Sequence, residues 1–339
     1  MSWYDIQSPK TEWLVDGLIT SDGYAAICGK PKAGKSTFVR NLIVSVIKSR
    51  MIIGRLVNIP AGTGRVLYIH LDRKDKPHRV VAELKRLGIT KEESVRLALR
   101  TEEHVPKDSS SERLKWIKEE ITTFKPHLTV IDLMWQFVIA GNSNDYNVVL
   151  KGINDLQDAL SQQKYQGALI VTLHGRKATN PNEPFDDVLG STGQRGSFST
   201  NVLLTRYRKE SVYTIQSDQT ERDDRYGEIS ETILGRNSDG TLSLLRPFNE
   251  LLKEEKETRD QAALKRVLNY IENNPAAEMF QIMGSLGMAK KTILRLLNMA
   301  PELWRMEGAG EKGDPHRYFP TLVVDPQVAA KIMEAKFVQ

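Results

Sequence analysis

Cysteine is nearly absent: the 339-residue chain carries one, Cys28. A single thiol excludes an internal disulfide framework and a cysteine-based zinc site. Its place inside the apolar run YAAIC reads as a small core residue. Long apolar runs are missing as well. No stretch approaches the roughly 18 residues that a membrane span needs, so no membrane partner is expected. The N-terminal segment MSWYDIQSPKTEWLVDG has neither the basic start nor the continuous apolar core of a secretory signal, and a cytoplasmic protein is the expectation. There is no internal repeat and no low-complexity tract. Neither sign of charge dominates: 48 basic side chains against 43 acidic ones leave +5, which by itself says little about a polyanionic partner.

What is present is the composition of a globular protein, 40% hydrophobic and 27% charged, long enough for one large domain and one small one. Apolar runs predict strands near 24–29, 65–71, 127–132 and 167–174, separated by helical patterns near 35–49, 73–87, 111–124 and 145–164. Such alternation predicts an α/β fold with a mostly parallel sheet, helices on both faces, and ligands at the carboxyl ends of the strands. From TNVLLTR through SVYTIQS, GEISETIL and TLSLL the pattern changes to short strands joined by polar turns, an antiparallel meander at one sheet edge. The expected division is a large domain over 1–246, a charged helical connector over 247–256, and a small domain over 257–339.

Between the first core strand and the first helix lies GKPKAGKST, which fits the phosphate-loop pattern. Gly29, Lys30, Pro31, Lys32, Ala33, Gly34, Lys35, Ser36 and Thr37 are the expected nucleotide-binding residues. Glycines let the backbone wrap phosphate oxygens, the helix N-terminus presents free N–H groups, Lys35 reaches the β/γ-phosphates, and Ser36 can ligate magnesium. ATP and Mg2+ are the implied cofactors. Hydrolysis also needs a carboxylate that helps hold the metal at the end of another buried strand, and LTVIDL supplies Asp132. A further carboxylate should activate water. Asp72, ending RVLYIHLD, is the better placed, with Asp75 nearby. His174, at the end of GALIVTLH, can sense the γ-phosphate.

In this order, EWLVDGLI, GKPKAGKST, GRVLYIHLD, LTVIDL, VTLHGRKA and FDDVLGSTGQRGS resemble the RecA-like ATPases, and especially the RepA-type hexameric replicative helicases of plasmids and phages. The resemblance runs over most of 12–245 and implies a RecA-like fold. It also implies a homo-oligomeric, hexameric ring with ATP at subunit interfaces, single-stranded DNA as a partner, and a replication initiator or primase as a further one. In that family the acid after the second strand is usually glutamate, so Asp72 is a departure that points to slow hydrolysis or a shifted water. Basic residues usual near the end of VYTIQSD are replaced by Gln216, Ser217 and Asp218. Arg206, Arg208, Arg222 and Arg225, with Arg195, are therefore the candidates for an arginine finger given to a neighbour's site. The segments after the magnesium-binding and sensor strands face the axis in such rings, which makes Arg176, Lys177 and Arg195 candidate DNA contacts. The N-terminal residues, with Trp3, Tyr4 and Trp13, are expected to pack on the adjacent subunit.

Residues 257–322 fit three helices and a Gly-rich hairpin, in the manner of a winged helix with a helix-turn-helix around LGMA. Lys290, Lys291 and Arg295 then lie on the third helix, where such folds touch DNA, duplex included, and Lys312 and Arg317 lie in the wing. Trp304, Tyr318 and Phe319 read as small-domain core. Three outputs remain open: a helicase, a recombinase filament, and a nucleotide-gated DNA-binding adaptor with slow hydrolysis. A small-molecule kinase has no use for the meander and the added domain.

Overall fold

A computed structural model describes residues 11–138, 146–174, 185, 197–207, 212–219, 228–311 and 313–321. The chain divides into two compact units, Met1–Phe248 and Asn249–Gln339. In the first, the strands that carry the fold are almost continuous apolar runs, as they must be when helices cover both faces of a sheet. They are β3 (Tyr24–Gly29), β4 (Val66–His70), β6 (Leu128–Asp132) and β7 (Ala168–His174), preceded by a small antiparallel pair, β1 (Trp13–Val15) and β2 (Ile19–Thr20). A parallel strand that the sequence pattern did not suggest, β5 (Leu97–Thr101), adds beyond β4. Only Ala98 of its five residues is buried, so its apolar signal is faint.

The meander is β8 (Thr200–Tyr207), β9 (Val212–Gln219), β10 (Thr232–Arg236) and β11 (Leu242–Pro247). The nine-stranded sheet has the order β11-β10-β9-β8-β3-β7-β6-β4-β5. It is parallel from β8 to β5 and antiparallel from β8 to β11. Strand β3, which delivers the phosphate loop, therefore sits between β7 and β8 in the middle, with later strands on both sides. A mostly parallel sheet in this order, with an antiparallel edge, is an α/β fold of RecA-like type.

The helices are α1 (Lys35–Lys48), α2 (Pro77–Arg86), α3 (Ser110–Phe124), the short α4 (Met134–Phe137) and α5 (Tyr146–Gln162). They divide the apolar core in two. One layer gathers Phe38, Leu42 and Val46 of α1 with Val80 and Leu84 of α2; the other gathers Ile117 and Ile121 of α3 with Ile153, Leu156 and Leu160 of α5. Helix α1 is buried around almost its whole circumference, including Arg40, Asn41 and Ser45, so its polar side chains need internal partners. Helix α3 opens on Ser109, whose hydroxyl accepts from the Glu112 N–H at 3.2 Å.

The second unit runs α6 (Phe248–Asn273), β12 (Ala277–Glu278), α7 (Met279–Leu286), α8 (Lys290–Leu297), β13 (Trp304–Glu307) and β14 (Arg317–Pro320). The expected connector is thus the opening of one continuous helix, because nothing in EKETRD breaks the helical run. Its three strands pair as β12-β14-β13. Leu264, Val267, Ile293, Leu297 and Tyr318 are buried together, Trp304 packs against them, and its indole N–H donates to the Leu297 carbonyl at 2.8 Å.

Leu42 is fully buried between α1 and the sheet. Leu42→Ala is expected to cost about 2–5 kcal/mol, removing contacts and leaving a cavity, as read from the urea unfolding midpoint at constant m-value.

Candidate functional site

The residues that sequence patterns singled out converge at the carboxyl ends of β3, β4, β6 and β7. Gly29 ends β3 at φ 152°, and a Cβ there would stand 2.3 Å from the Leu204 carbonyl oxygen, so the sheet itself requires glycine. Lys32 and Gly34 take left-handed backbone conformations, at φ 67° and 95°, and Gly34 caps α1. The loop folds so that its carbonyls reach inward. The Lys35 ammonium donates to the Gly29 carbonyl at 2.7 Å and to the Lys30 carbonyl at 3.1 Å, and lies 3.3 Å from Nδ1 of His174. Burial pushes the Lys35 pKa down, against the pull of the nearby Asp132 carboxylate.

Pro31, Lys32, Gly34, Lys35, Ser36 and Thr37 line a cleft of about 900 Å³, together with Asp72 and His174. Ala33 is buried beneath it and donates its N–H to the Lys30 carbonyl at 3.1 Å. Asp132 lies fully buried at the end of β6. Its Oδ1 accepts from the Thr172 hydroxyl at 2.6 Å and its Oδ2 from the Tyr68 hydroxyl at 3.1 Å. Burial, with the Asp132 charge second, pushes the Tyr68 pKa well up, so the hydroxyl stays a donor. Neither Thr172 nor Tyr68 carried a sequence signal, since each sits in an apolar run where only the register across β4, β6 and β7 brings it to Asp132.

Asp72 and Asp75 both line the cleft and differ in what each carboxylate touches. Asp75 pairs with the buried Arg40 guanidinium. Asp72 faces the cleft, and its Oδ1 accepts only a local bond from the Lys74 N–H, at 3.0 Å. Tyr213, Leu234 and Leu242 add apolar lining to the cleft that no motif announced. Tyr213 is brought there by the β8–β9 register, opposite Arg206, and its ring lies 3.6 Å from where a Cβ on Gly34 would stand. Leu133, Trp135 and Gln136, at the start of the segment after β6, line the cleft too. The Arg113 guanidinium holds that segment, with Nη1 donating to the carbonyls of Gln136 and Phe137 at 2.6 and 2.8 Å.

Two of the candidate arginines have partners within their own chain. Arg206, a candidate finger for a neighbour's site, lines its own chain's cleft, with its guanidinium carbon 6.0 Å from the Tyr213 ring centre. Strand β8 lies directly beside β3, which puts its end at the same chain's phosphate loop. Arg295, a candidate DNA contact, is half-exposed on α8, and both its terminal nitrogens donate to Asp260, at 2.6 and 2.8 Å. Lys290 and Lys291 are exposed at the start of α8. Arg176, Lys177, Arg195, Arg208, Arg222, Arg225 and Lys312 lie outside the described residues.

The donor set suits a magnesium–triphosphate. A buried ammonium, a helix N-terminus and two hydroxyls form a site for an anion. Among the described residues no group of three or more His, Cys, Asp and Glu side chains is arranged to hold a metal alone. Ser36 and Asp132 are the residues that would hold a divalent ion beside a bound phosphate.

Sheet order, phosphate loop and strand-end carboxylate together define a RecA-like P-loop ATPase. The chain belongs to the AAA_25 family, described as an AAA domain, whose model matches residues 1–180. No curated protein matches it. Among solved structures, 388 chains match, one of them a KaiC-like protein from the hyperthermophilic archaeon Pyrococcus horikoshii OT3. That match is 12% identical with a TM-score of 0.49, and covers 71% of this chain and 99% of that one. No helix among the described residues is long and apolar enough to cross a membrane.

Partial burial of the imidazole, with Lys35 second, pushes the His174 pKa below its ordinary value, against Asp72 and Asp132. Below about pH 6.5 the unfolded chain takes up a proton that the native site resists, so this contribution to stability is lost as pH falls. The melting temperature of the wild type should therefore fall more than that of His174→Gln between about pH 7.5 and pH 5.5. Equal slopes would show that the native site does not hold His174 neutral.

Proposed function

We propose that the protein is an ATP-driven DNA translocase, a helicase acting in the replication of a plasmid, phage or related element, working as a homo-oligomeric ring. The observation that supports this reading is a RecA-like ATPase unit followed in the same chain by a second unit whose helices and hairpin suit nucleic-acid contact. In that second unit α7 and α8, joined by a turn at Gly287, are followed by strands β13 and β14, an element order in keeping with a winged helix. Lys290 and Lys291 stand exposed at the start of α8, where such helices meet phosphates.

In the ATPase unit each group has a role in keeping with its surroundings. The loop N–H groups and Lys35 bind the phosphates, and Ser36 and Asp132 would hold magnesium, which would offset charge on the transferring phosphoryl group. Tyr68 and Thr172 orient the Asp132 carboxylate. Asp72 accepts the proton of the attacking water, and His174, neutral against Lys35, reports on the γ-phosphate. The apolar lining of Tyr213, Leu234 and Leu242 takes the base.

A second reading, a nucleotide-gated DNA-binding adaptor with slow hydrolysis, is favoured by two observations. Asp72 has a short side chain, and Arg206 faces its own cleft, which leaves the finger to the arginines outside the described residues. The two readings differ in turnover.

Turnover of ATP should rise when single-stranded DNA is added, and Lys35→Ala and Asp72→Asn should each reduce it by about 100-fold or more. Negligible turnover of the wild type despite tight ATP binding would favour the adaptor. Lys290→Ala with Lys291→Ala should weaken DNA binding at all sequences and flatten the slope of log K against log salt by about 1–2. An unchanged slope would remove α8 from the DNA surface.

A further inference from the structure

We propose that Arg40 is a positioning residue for hydrolysis: from inside α1 it holds the turn that carries Asp72. Arg40 lies one helical turn beyond Ser36 and is 5% exposed. Its guanidinium pairs with Asp75 in the loop after β4 and with Glu83 of α2. Asp75 in turn belongs to a tight turn closed on Asp72. The Asp75 N–H donates to the Asp72 carbonyl at 3.0 Å, and the Lys74 N–H to the Asp72 carboxylate at 3.0 Å. The same turn is tied a second time, since the Asp75 carbonyl lies 2.6 Å from His70 Nε2. His70 Nδ1 is 3.2 Å from the Tyr68 hydroxyl, which donates to Asp132.

Two lines of contact therefore meet at the turn. One comes from the helix that begins with Lys35 and Ser36, the other from the metal-binding carboxylate. Burying a guanidinium is costly, and a buried ion pair is weak evidence for stability as such. What this pair does contribute is geometry. The aspartate side chain is short, so the backbone of the turn decides where its carboxylate stands, and a displacement of about 1 Å in a reacting group can cost about 100-fold in rate. A tie from α1 to the turn keeps Asp72 in register with the phosphates that α1 itself binds.

The inference rests on Asp72 as the catalytic acid, so the test carries Asp72→Asn beside Asp75→Asn, Arg40→Lys and Arg40→Met. ATP turnover, the binding of a fluorescent ATP analogue and the melting temperature are measured for each. Asp75→Asn keeps the shape of the side chain and leaves Arg40 paired with Glu83. It should lower kcat by about 10-fold or more while KM and analogue affinity stay within about two-fold. Arg40→Met should lower kcat at least as far, Arg40→Lys should recover part of the loss, and Arg40→Met with Asp75→Asn should be no worse than Arg40→Met alone. If Arg40→Met does not fold, Asp75→Asn decides. Folded Asp75→Asn with wild-type kcat overturns the inference, as do additive losses in the double variant. Turnover that survives Asp72→Asn overturns the catalytic assignment and this inference together. Turnover that Asp72→Asn abolishes and Asp75→Asn leaves intact overturns the inference alone.

Discussion

An ammonium group held almost out of water organises the nucleotide cleft. Lys35 is 6% exposed, and a cation in that position needs oxygen around it. The loop meets the need with the carbonyls of Gly29 and Lys30, which turn inward because Gly29 can approach β8 closely and because Lys32 and Gly34 take left-handed conformations. The start of α1 lies at the cleft, and a helix N-terminus there suits an anion. Burial weakens the hold of Lys35 on its proton, Asp132 strengthens it, and His174 stays neutral beside it. The carboxylate thus acts on both the cation and the imidazole, and the cation on the imidazole.

The second consequence of burial lies in α1. A helix buried on nearly every side cannot move without disturbing both the sheet and α2, and its internal polar groups are tied to neighbours. Asn41 donates to the carbonyls of Thr37 and Gly240, at 3.0 and 3.3 Å, and Arg40 pairs across to the loop after β4 and to α2. Glu83 also receives Arg236 of β10, at 3.1 Å. The helix that begins at the phosphates is thereby joined to the acid-bearing turn on one side and the antiparallel edge on the other. A change in what the phosphate loop holds has a physical route to both, through contacts that are already made.

Much of this was legible in the residues because it is local. A phosphate loop is a contiguous string with a strand before it and a helix after it, and Asp132 and His174 each end an apolar run. The alternation of strands and helices likewise announced a parallel sheet, and the polar-turned strands after it an antiparallel edge. Strand β5 went unread because most of it is only half-buried at the sheet edge, so its pattern is weak. Asp72 and Asp75 could not be separated by spacing, for both are polar residues after a buried strand and differ only in whether a guanidinium from another element reaches them.

By itself, then, the amino-acid sequence determined the class of chemistry and the order of the core elements, since both follow from short-range patterns: turn chemistry, strand period and helix period. Tertiary structure alone decided which groups act together. Tyr68, Thr172 and Asp132 meet through strand register, Tyr213 and Arg206 reach the cleft because β8 and β9 lie beside β3, and Arg40 finds Asp75 because α1 packs under the loop after β4. It also placed Asp260 against Arg295. Contacts between residues distant along the chain depend on how elements pack. Packing is set by the summed burial of many side chains, which no single motif records.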